Sequence, residues 1–440
     1  MKNVDILFLY ETRNRELENI CLIKSELEKR GFSVAVINTW TNLYIKKPPY
    51  NAKVIVTHAM YDNGVYFFVK KYCGKVPKVV NMQCEQIGTV FEEKNPESRM
   101  LLKDVAKQCM NICWGNRTYR RLHDIAGIDD KHLSVTGQVA FDFCRKELKG
   151  YYLSRKEITE KYKINPDLNI NLFISSFSYV NLPENIIKKS DLNSKDDFIK
   201  FSVDSFNIVL QWFKKLLDSH KDQAIIYRPH PAEADNPRLK EIKEKYPDRF
   251  FVIGDLSVKQ WISIADRVYS WYSTSSAEAY MLGVPISVLR PVDVPPDLEV
   301  SLFENAKFIN NYEGFEKTLY NEGQTSLCKE IFDDLYYVDE KPAYIHFADT
   351  IQKVYEDDGY LIKNPPQRKT GFKRKIKKFI YGSLEDVAYR LPKSVHFMDR
   401  FKTPPITDEY TLERQRINGA DIEEIEKLQK HIEKVIAENS

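Results

Sequence analysis

His230 stands between two prolines in the run Arg228-Pro229-His230-Pro231, directly after the apolar stretch 224–227. Proline can neither extend a sheet ladder nor sit inside a helix. The chain must therefore stop there, with one imidazole and one guanidinium held at a strand end. In an α/β sheet the carboxyl ends of the strands are where ligands bind. Two further features lie in the same half of the chain. Ser175 and Ser176 end another strand-like run, and Ser273, Thr274, Ser275 and Ser276 fill the turn in WYSTSSAEAYMLGVP that precedes a helical pattern. Hydroxyls beside the unpaired N–H groups of a helix start make an anion site. His230 and Arg228 would add charged hydrogen bonds to a phosphate. A Ser/Thr turn is also an ordinary helix cap; its occurrence in the same domain as the His-Pro strand end favours the phosphate. Glu278, one turn into that helix, is placed to accept from a ribose or base hydroxyl.

The elements that must position these groups follow from periodicity. Strand patterns occur at 4–10, 33–38, 52–58, 78–83, 110–115 and 132–137, with helical patterns at 15–30, 66–72, 100–108 and 116–126 between them. Strands alternating with helices imply a parallel sheet covered on both faces. After a polar, helical stretch at 151–169 the alternation restarts. Strands are expected at 170–176, 224–229, 250–254, 267–271 and 285–290, and helices at 198–219, 237–246, 258–265 and 275–282. The expected fold is thus α/β, with two Rossmann-like doubly wound domains and a C-terminal helical extension. The boundaries are 1–150, a linker at 151–169, 170–345, and an extension at 346–440. Two such domains in tandem are expected to leave a cleft lined by strand ends.

Composition narrows the function. The 440 residues are 43% hydrophobic and 29% charged, with a net charge of +3, an ordinary soluble balance too weakly basic to argue for nucleic acid. Seven scattered cysteines read as reduced core thiols, and no Cys or His partner completes a zinc site around Cys109 and Cys113. The strand pattern that begins at Val4 leads to the expectation of a start without a signal peptide, and no apolar run of the sequence is long enough to span a bilayer. There is no Walker phosphate loop and no Gly-x-Gly-x-x-Gly, which argues against a nucleotide hydrolase or a simple dehydrogenase.

A His-Pro pair at a strand end, then a Ser/Thr turn before a helix and Gly-Val-Pro, resembles the donor domain of GT-B glycosyltransferases that use cytidine nucleotides. Bacterial sialyltransferases, polysialyltransferases and capsule Kdo transferases carry such motifs, and the polyol-phosphate transferases of teichoic acid synthesis carry a related pattern. The start ILFLYETRNRELENICLIKSELEKRGFSV, with CWGNRTYRRL and VTGQVAFD, is similar to bacterial surface carbohydrate biosynthesis proteins, so the resemblance spans roughly 4–289. It implies that His230 and the 273–276 turn bind the nucleotide phosphate and ribose, with Ser175 and Ser176 near the phosphates or base.

Such a transfer needs a carboxylate, as base or nucleophile, from the first domain. Glu85 in NMQCEQIGT is the first choice: it follows a strand, Gln83 and Gln86 flank it, and Gly88 allows close approach. Glu11, near Arg13 and Arg15, is second, and Asp62, near His58 and Gly64, is third. His58 and Arg13 are candidate acceptor contacts. The double-acid-Gly motif of many sialyltransferases is absent, because Glu92-Glu93 is followed by Lys94 and Asp357-Asp358-Gly359 lies outside the first domain. With no Asp-x-Asp motif evident, metal-independent chemistry without a cofactor is expected, the leaving phosphate being stabilised by His230, Arg228 and helix dipoles.

The run 368–378 carries seven basic residues, and apolar side chains follow it at helical spacing. Lys373, Arg374, Lys375, Lys377 and Lys378, with Phe379, form a candidate anchor on an anionic membrane. Ile422, Ile425, Leu428, Ile432 and Val435 make a short heptad-like stripe that could pair with a second copy. The expectation is a cytoplasmic enzyme, peripheral on the inner face of the membrane. It would transfer an acidic sugar, sialic-type or Kdo, from a CMP donor to a glycan or glycolipid. The alternatives are a CDP-polyol-dependent polyol-phosphate transferase and a non-catalytic scaffold that binds a sugar nucleotide or a membrane.

Overall fold

The structure, a computed structural model, describes residues 1–41, 48–95, 97–180, 195–230, 233, 235–320, 325–367 and 415–439. The chain divides into two units. The first comprises Met1–Gln86, Glu92–Asp142 and Leu335–Ser440; the second comprises Ile87–Phe91 and Phe143–Asp334.

The first unit is built on six parallel strands: β1 (Lys2–Tyr10), β2 (Val34–Asn38), β3 (Tyr50–Thr57), β4 (Lys78–Asn81), β5 (Met110–Cys113) and β6 (Leu133–Val135). Their order is β2-β1-β3-β4-β5-β6. Parallel strands are buried on both faces and so read as continuous apolar runs. β1 shows this, with Ile6 through Tyr10 fully buried. The order reverses between β1 and β3, where Leu7 lies between Ala35 and Ile55 in register. α1 (Glu18–Lys29) and α2 (Asn63–Val69) belong to this unit. The helix expected at 100–108 is instead two short 3₁₀ turns, because Leu102 and Asp104 take positive φ (25° and 54°).

The second unit has β7 (Asn169–Ile174), β8 (Gln223–Arg228), β9 (Phe250–Val252), β10 (Arg267–Ser270), β11 (Ile286–Leu289) and β12 (Phe308–Ile309). They are parallel in the order β12-β11-β10-β7-β8-β9, with the reversal between β7 and β10. The two-residue β12 was not anticipated. Its helices include α3 (Arg155–Tyr162), α4 (Lys195–Ser219), α5 (Pro237–Lys245) and α6 (Ser276–Met281). The stretch expected as a linker carries α3, started by a Ser154/Glu157 capping box. Arg155 ties α3 to this unit by bonding the Asp266 carboxylate and the carbonyls of Ile264 and Leu168. The core is aromatic: Phe173, Phe177, Phe206, Phe213, Tyr227, Phe250, Tyr269 and Trp271 are fully buried. Each contributes about 2–3 kcal/mol of burial.

At Leu335 the chain rejoins the first unit, which includes the described residues of the expected helical extension, 346–367 and 415–439. Tyr337 N–H donates to the Trp114 carbonyl at 2.7 Å. The passage is so close that a Cβ on Gly115 would lie 2.5 Å from the Leu335 carbonyl. α7 (Ala343–Glu356) packs on α1, fastened by Arg30 to Asp349 at 2.8 Å. α8 (Ile422–Asn439) also packs on α1. Ile425, Ile432 and Val435 are buried and Ile422 is exposed. The heptad-like stripe therefore serves this chain's own core, which removes the basis for expecting a second copy there.

Candidate functional site

In the second unit the expected donor groups gather at the carboxyl ends of β7, β8 and β10, on either side of the sheet's reversal. The Ser175 N–H donates to the Arg228 carbonyl at 3.0 Å, so the ends of β7 and β8 are joined. Ser176 Oγ accepts from Tyr272 N–H at 3.2 Å, joining β7 to the turn after β10. That turn is internally bonded: Ser273 N–H donates to Ser270 Oγ, Ser275 N–H to Ser273 Oγ, and the Ser276 hydroxyl to the Ser273 carbonyl. Thr274 is exposed and Ser275 half-buried, and among the described residues no partner holds either hydroxyl. Glu278 sits on α6, where burial pushes its carboxyl up to about 6 despite the pull of Lys259.

His230 is exposed, and its main chain is pinned by Glu233, a residue the sequence reading passed over. The His230 N–H donates to Glu233 Oε2 at 3.1 Å, and the Glu233 N–H donates back to the His230 carbonyl at 2.8 Å. Glu233 also receives the Ser175 hydroxyl at 2.6 Å and the Tyr227 hydroxyl at 2.5 Å. Burial raises its carboxyl above the usual range against these donors. The Ser175 hydroxyl is thus spent on Glu233 rather than presented to a ligand. Arg228 differs from expectation too. Its Nη1 and Nη2 donate to the Asp255 and Leu256 carbonyls at 2.7 and 2.5 Å, holding Leu256 at φ 62°. Burial lowers this guanidinium to about 10.

In the first unit Glu11 and His58 follow β1 and β3, the two strands at the reversal, and Glu85 follows β4. The Cys84 N–H donates to the His58 carbonyl at 2.9 Å, setting the Glu85 loop against β3. Glu85 is half-exposed and held by two guanidiniums: Arg15 Nη1 at 2.6 Å and Arg99 Nη2 at 3.3 Å. Arg15 also pairs with buried Glu16 at 2.7 Å and lies 3.8 Å from Glu11. Burial works against the Arg15 charge, but the Glu16 and Glu85 carboxylates outweigh it and raise its pKa. Burial keeps the Cys84 thiol protonated. Gln83 is fully buried at φ 44°, and neither side-chain amide atom has a partner. The Nδ1 of His58 is likewise buried and unpaired. Buried polar atoms left unpaired cost about 1–3 kcal/mol each. Gln86 is structural: its amide joins the Met82 and Ile112 carbonyls to the Trp114 N–H.

Two candidates have other employment. Asp62 caps α2, accepting from Gly64 N–H at 2.7 Å and Val65 N–H at 3.0 Å. Arg13 donates to the Gly419 carbonyl and pairs with Glu424, both at 3.1 Å. The membrane candidates 373–379 lie outside the described residues. Among the described residues no helix is long and apolar enough to cross a membrane, and no acidic, His and Cys cluster fits a metal ion.

The fold has relatives among solved structures. The wall teichoic acid polymerase TagF, as a His-to-Asn variant soaked with CDPG for 30 minutes, aligns with TM-score 0.52 at 13% identity, over 81% of this chain and 89% of that one. A His-to-Ala variant of TagF aligns with TM-score 0.52 at 12% identity, over 80% and 89%. The S. aureus MnaA–UDP co-structure aligns with TM-score 0.47 at 14% identity, over 84% and 100%. No family model matches the sequence, and no curated protein matches it. What the likeness to TagF establishes is the fold: two parallel six-stranded α/β units of the GT-B type.

Proposed function

We propose that this chain is a transferase that takes its group from a cytidine-nucleotide-linked donor and passes it to a hydroxyl of a cell-surface polymer or glycolipid. The observation that carries the reading is the knot at the carboxyl edge of the second sheet. Glu233 locks the His230 backbone to Ser175 and Tyr227. The Ser/Thr turn stands at the strand end beside it, with Thr274 and Ser275 hydroxyls unspent. His230 would contact the donor phosphate and the turn the phosphate and ribose, with Glu278 one turn further along α6. On the first unit Glu85 would serve the acceptor, with His58 beside it. Arg15 and Arg99 pair with the Glu85 side chain and fix its place.

The likeness to a polymerase soaked with CDPG favours a CDP-polyol as donor. The acceptor oxygen would then attack the phosphorus bearing the polyol. One P–O bond forms, the bridging P–O bond breaks, CMP leaves, and the hydroxyl proton passes to Glu85. The His-Pro and Ser/Thr pattern favours a second reading, transfer of an acidic sugar from its CMP form, in which the new bond is to the anomeric carbon. No metal or cofactor is required in either. The basic run with Lys373, Arg374, Lys375, Lys377, Lys378 and Phe379 would hold the enzyme on the inner face of an anionic membrane. Exchanging those five cations for glutamate should abolish flotation with anionic liposomes.

The test incubates the enzyme with CDP-polyols and CMP-sugars and follows acceptor-dependent CMP release. Product phosphorus separates the two donors. His230→Ala should lose transfer and CMP affinity together; wild-type rates in that variant would sink the assignment. If CMP raises thermal stability but no donor is consumed, the chain is a nucleotide-binding scaffold instead.

A further inference from the structure

The loop after β1 carries Glu11 and Arg15, and its outer side is held by a distant part of the same chain. The Arg13 N–H donates to Asn418 Oδ1 at 3.0 Å, and its Nη1 to the Gly419 carbonyl at 3.1 Å. Its Nη2 pairs with Glu424 at 3.1 Å. The Tyr10 hydroxyl, at the last residue of β1, donates to the Asn418 carbonyl at 3.1 Å. Gln415 reaches the Trp40 carbonyl at 3.1 Å, in the turn after β2. Asn418 and Gln415 are buried. The fit is close: a Cβ on Gly419 would lie 2.9 Å from Thr41 Cγ2. α8 then runs along α1, with Lys24 on Gln429 at 2.6 Å and Ser25 on Glu433 at 2.8 Å.

The residues gripped in this way are immediate neighbours of Glu11, Arg15 and Glu16. Arg13 is two residues from Arg15, whose other end holds Glu85 at 2.6 Å. The loop itself is a π-helical turn, Arg13–Leu17, and Thr12 at its start makes no side-chain cap bond. π-Helical turns are rare and frequently lie at functional sites. Here the support at the start comes from the Arg13 N–H bond to Asn418, a bond that an ordinary helix would leave to its own capping side chain.

We propose that residues 415–439 are a positioning clamp for the Arg15–Glu85 pair, with Asn418 as the residue that sets the loop. This rests on the reading of Glu85 as the acceptor-side carboxylate. The clamp touches no reacting group. It acts through the Arg13 backbone, fixing where Arg15 stands and so which way Glu85 faces. It also explains why the chain returns to the first unit after completing the second.

The test uses the full chain with Asn418→Ala, and with Glu424→Gln as a milder variant on the helix surface. Hydrogen exchange by mass spectrometry should show about tenfold faster exchange at 11–17 and 84–86 in Asn418→Ala, with peptides of β7–β11 unchanged. Turnover should fall about tenfold while the donor KM stays at its wild-type value. Glu424→Gln should shift both readouts in the same direction by less. Unchanged exchange at 11–17 in Asn418→Ala overturns the proposal, as does faster exchange there with wild-type turnover. A wild-type enzyme that consumes no donor is a failure of the transferase reading instead. The clamp is then judged by exchange alone: faster exchange at 84–86 as well as 11–17 supports it, and a change confined to 415–439 overturns it.

Discussion

Replacing Glu278 by glutamine should stabilise the protein far more at pH 8 than at pH 5. The carboxyl sits on α6, just after the Ser/Thr turn, and burial pushes it from the ordinary 4.5 up to about 6. Because the folded value lies above the unfolded one, the folded state holds the proton more tightly. Well below 4.5 both states are protonated and the carboxyl costs nothing; stability falls as pH rises between 4.5 and 6, and above about 6 the full penalty is present. The rise from 4.5 to about 6 is worth about 2 kcal/mol at pH 8. At pH 5 the same two values leave a penalty of about 0.8 kcal/mol. Glutamine is neutral throughout and keeps the shape, so it removes the penalty and little else. Lys259 keeps its place over the Phe143 ring at 4.3 Å. Thermal melting of wild type and Glu278→Gln at pH 5 and pH 8 reads the difference, and 2 kcal/mol corresponds to roughly 4–8 °C for a unit of this size. An equal shift at both pH values, or a loss of stability at pH 8, would refute the assignment of a desolvated carboxyl.

Three further substitutions separate chemistry from architecture. Glu85→Gln should cut turnover by about 10²–10⁴-fold, measured as acceptor-dependent CMP release, with little change in melting temperature because the side chain is half-exposed. Asp62→Ala should do the reverse, losing about 1 kcal/mol in a denaturant titration through the lost α2 cap while turnover holds; a collapse in turnover would return Asp62 to the catalytic group. Glu299→Gln should cost about 3–5 kcal/mol, because buried Arg290 rests on that carboxylate at 2.5 Å and would be left without its charge partner.

Much of the scaffold was legible because parallel strands announce themselves. Runs such as 4–10 and 224–228 are apolar on both faces, and the strand ends then follow from where the prolines and polar residues begin. That is why His230, the 273–276 turn, Glu11, His58 and Glu85 all sit at carboxyl edges. What stayed hidden was bonding between separated parts of the chain. Glu233 lies three residues beyond His230, a spacing at which a carboxylate can turn back onto a main-chain N–H. That local signal could have found it, but its bonds to Ser175 and Tyr227 depend on β7 lying beside β8. Periodicity marked 422–435 as amphipathic but did not say that α1 is what it covers. The backbone at Leu102 and Asp104 turns left-handed in a stretch whose apolar spacing is helical, a tertiary override of local preference.

The charges at the second sheet's edge lead to a conclusion about nucleotide affinity. An anionic donor would meet two carboxyls there, Glu233 and Glu278, each pushed upward by burial. Of the guanidiniums at that edge, Arg228 has two nitrogens committed to the Asp255 and Leu256 carbonyls, and Arg290, over the Tyr272 ring, is paired with Glu299. Phosphate binding must then lean on His230, on hydroxyls and on main-chain N–H groups, with the Glu278 charge set against it. Protonating Glu278 removes a negative charge from beside the anion, so CMP should bind more tightly as pH falls through about 6. If the two charges stand about 6 Å apart in a medium of effective dielectric 20, the repulsion removed is about 3 kcal/mol before salt screening. Screening and partial exposure reduce it to a gain of about tenfold in affinity. Calorimetric titration of CMP at pH 5.5 and pH 7.5 measures this, and Glu278→Gln should bind more tightly than the wild type at pH 7.5 and show the smaller change between the two pH values. A wild-type affinity that weakens as pH falls would show that Glu278 accepts a hydrogen bond from the nucleotide in its charged form, giving it a role in recognition instead of repulsion.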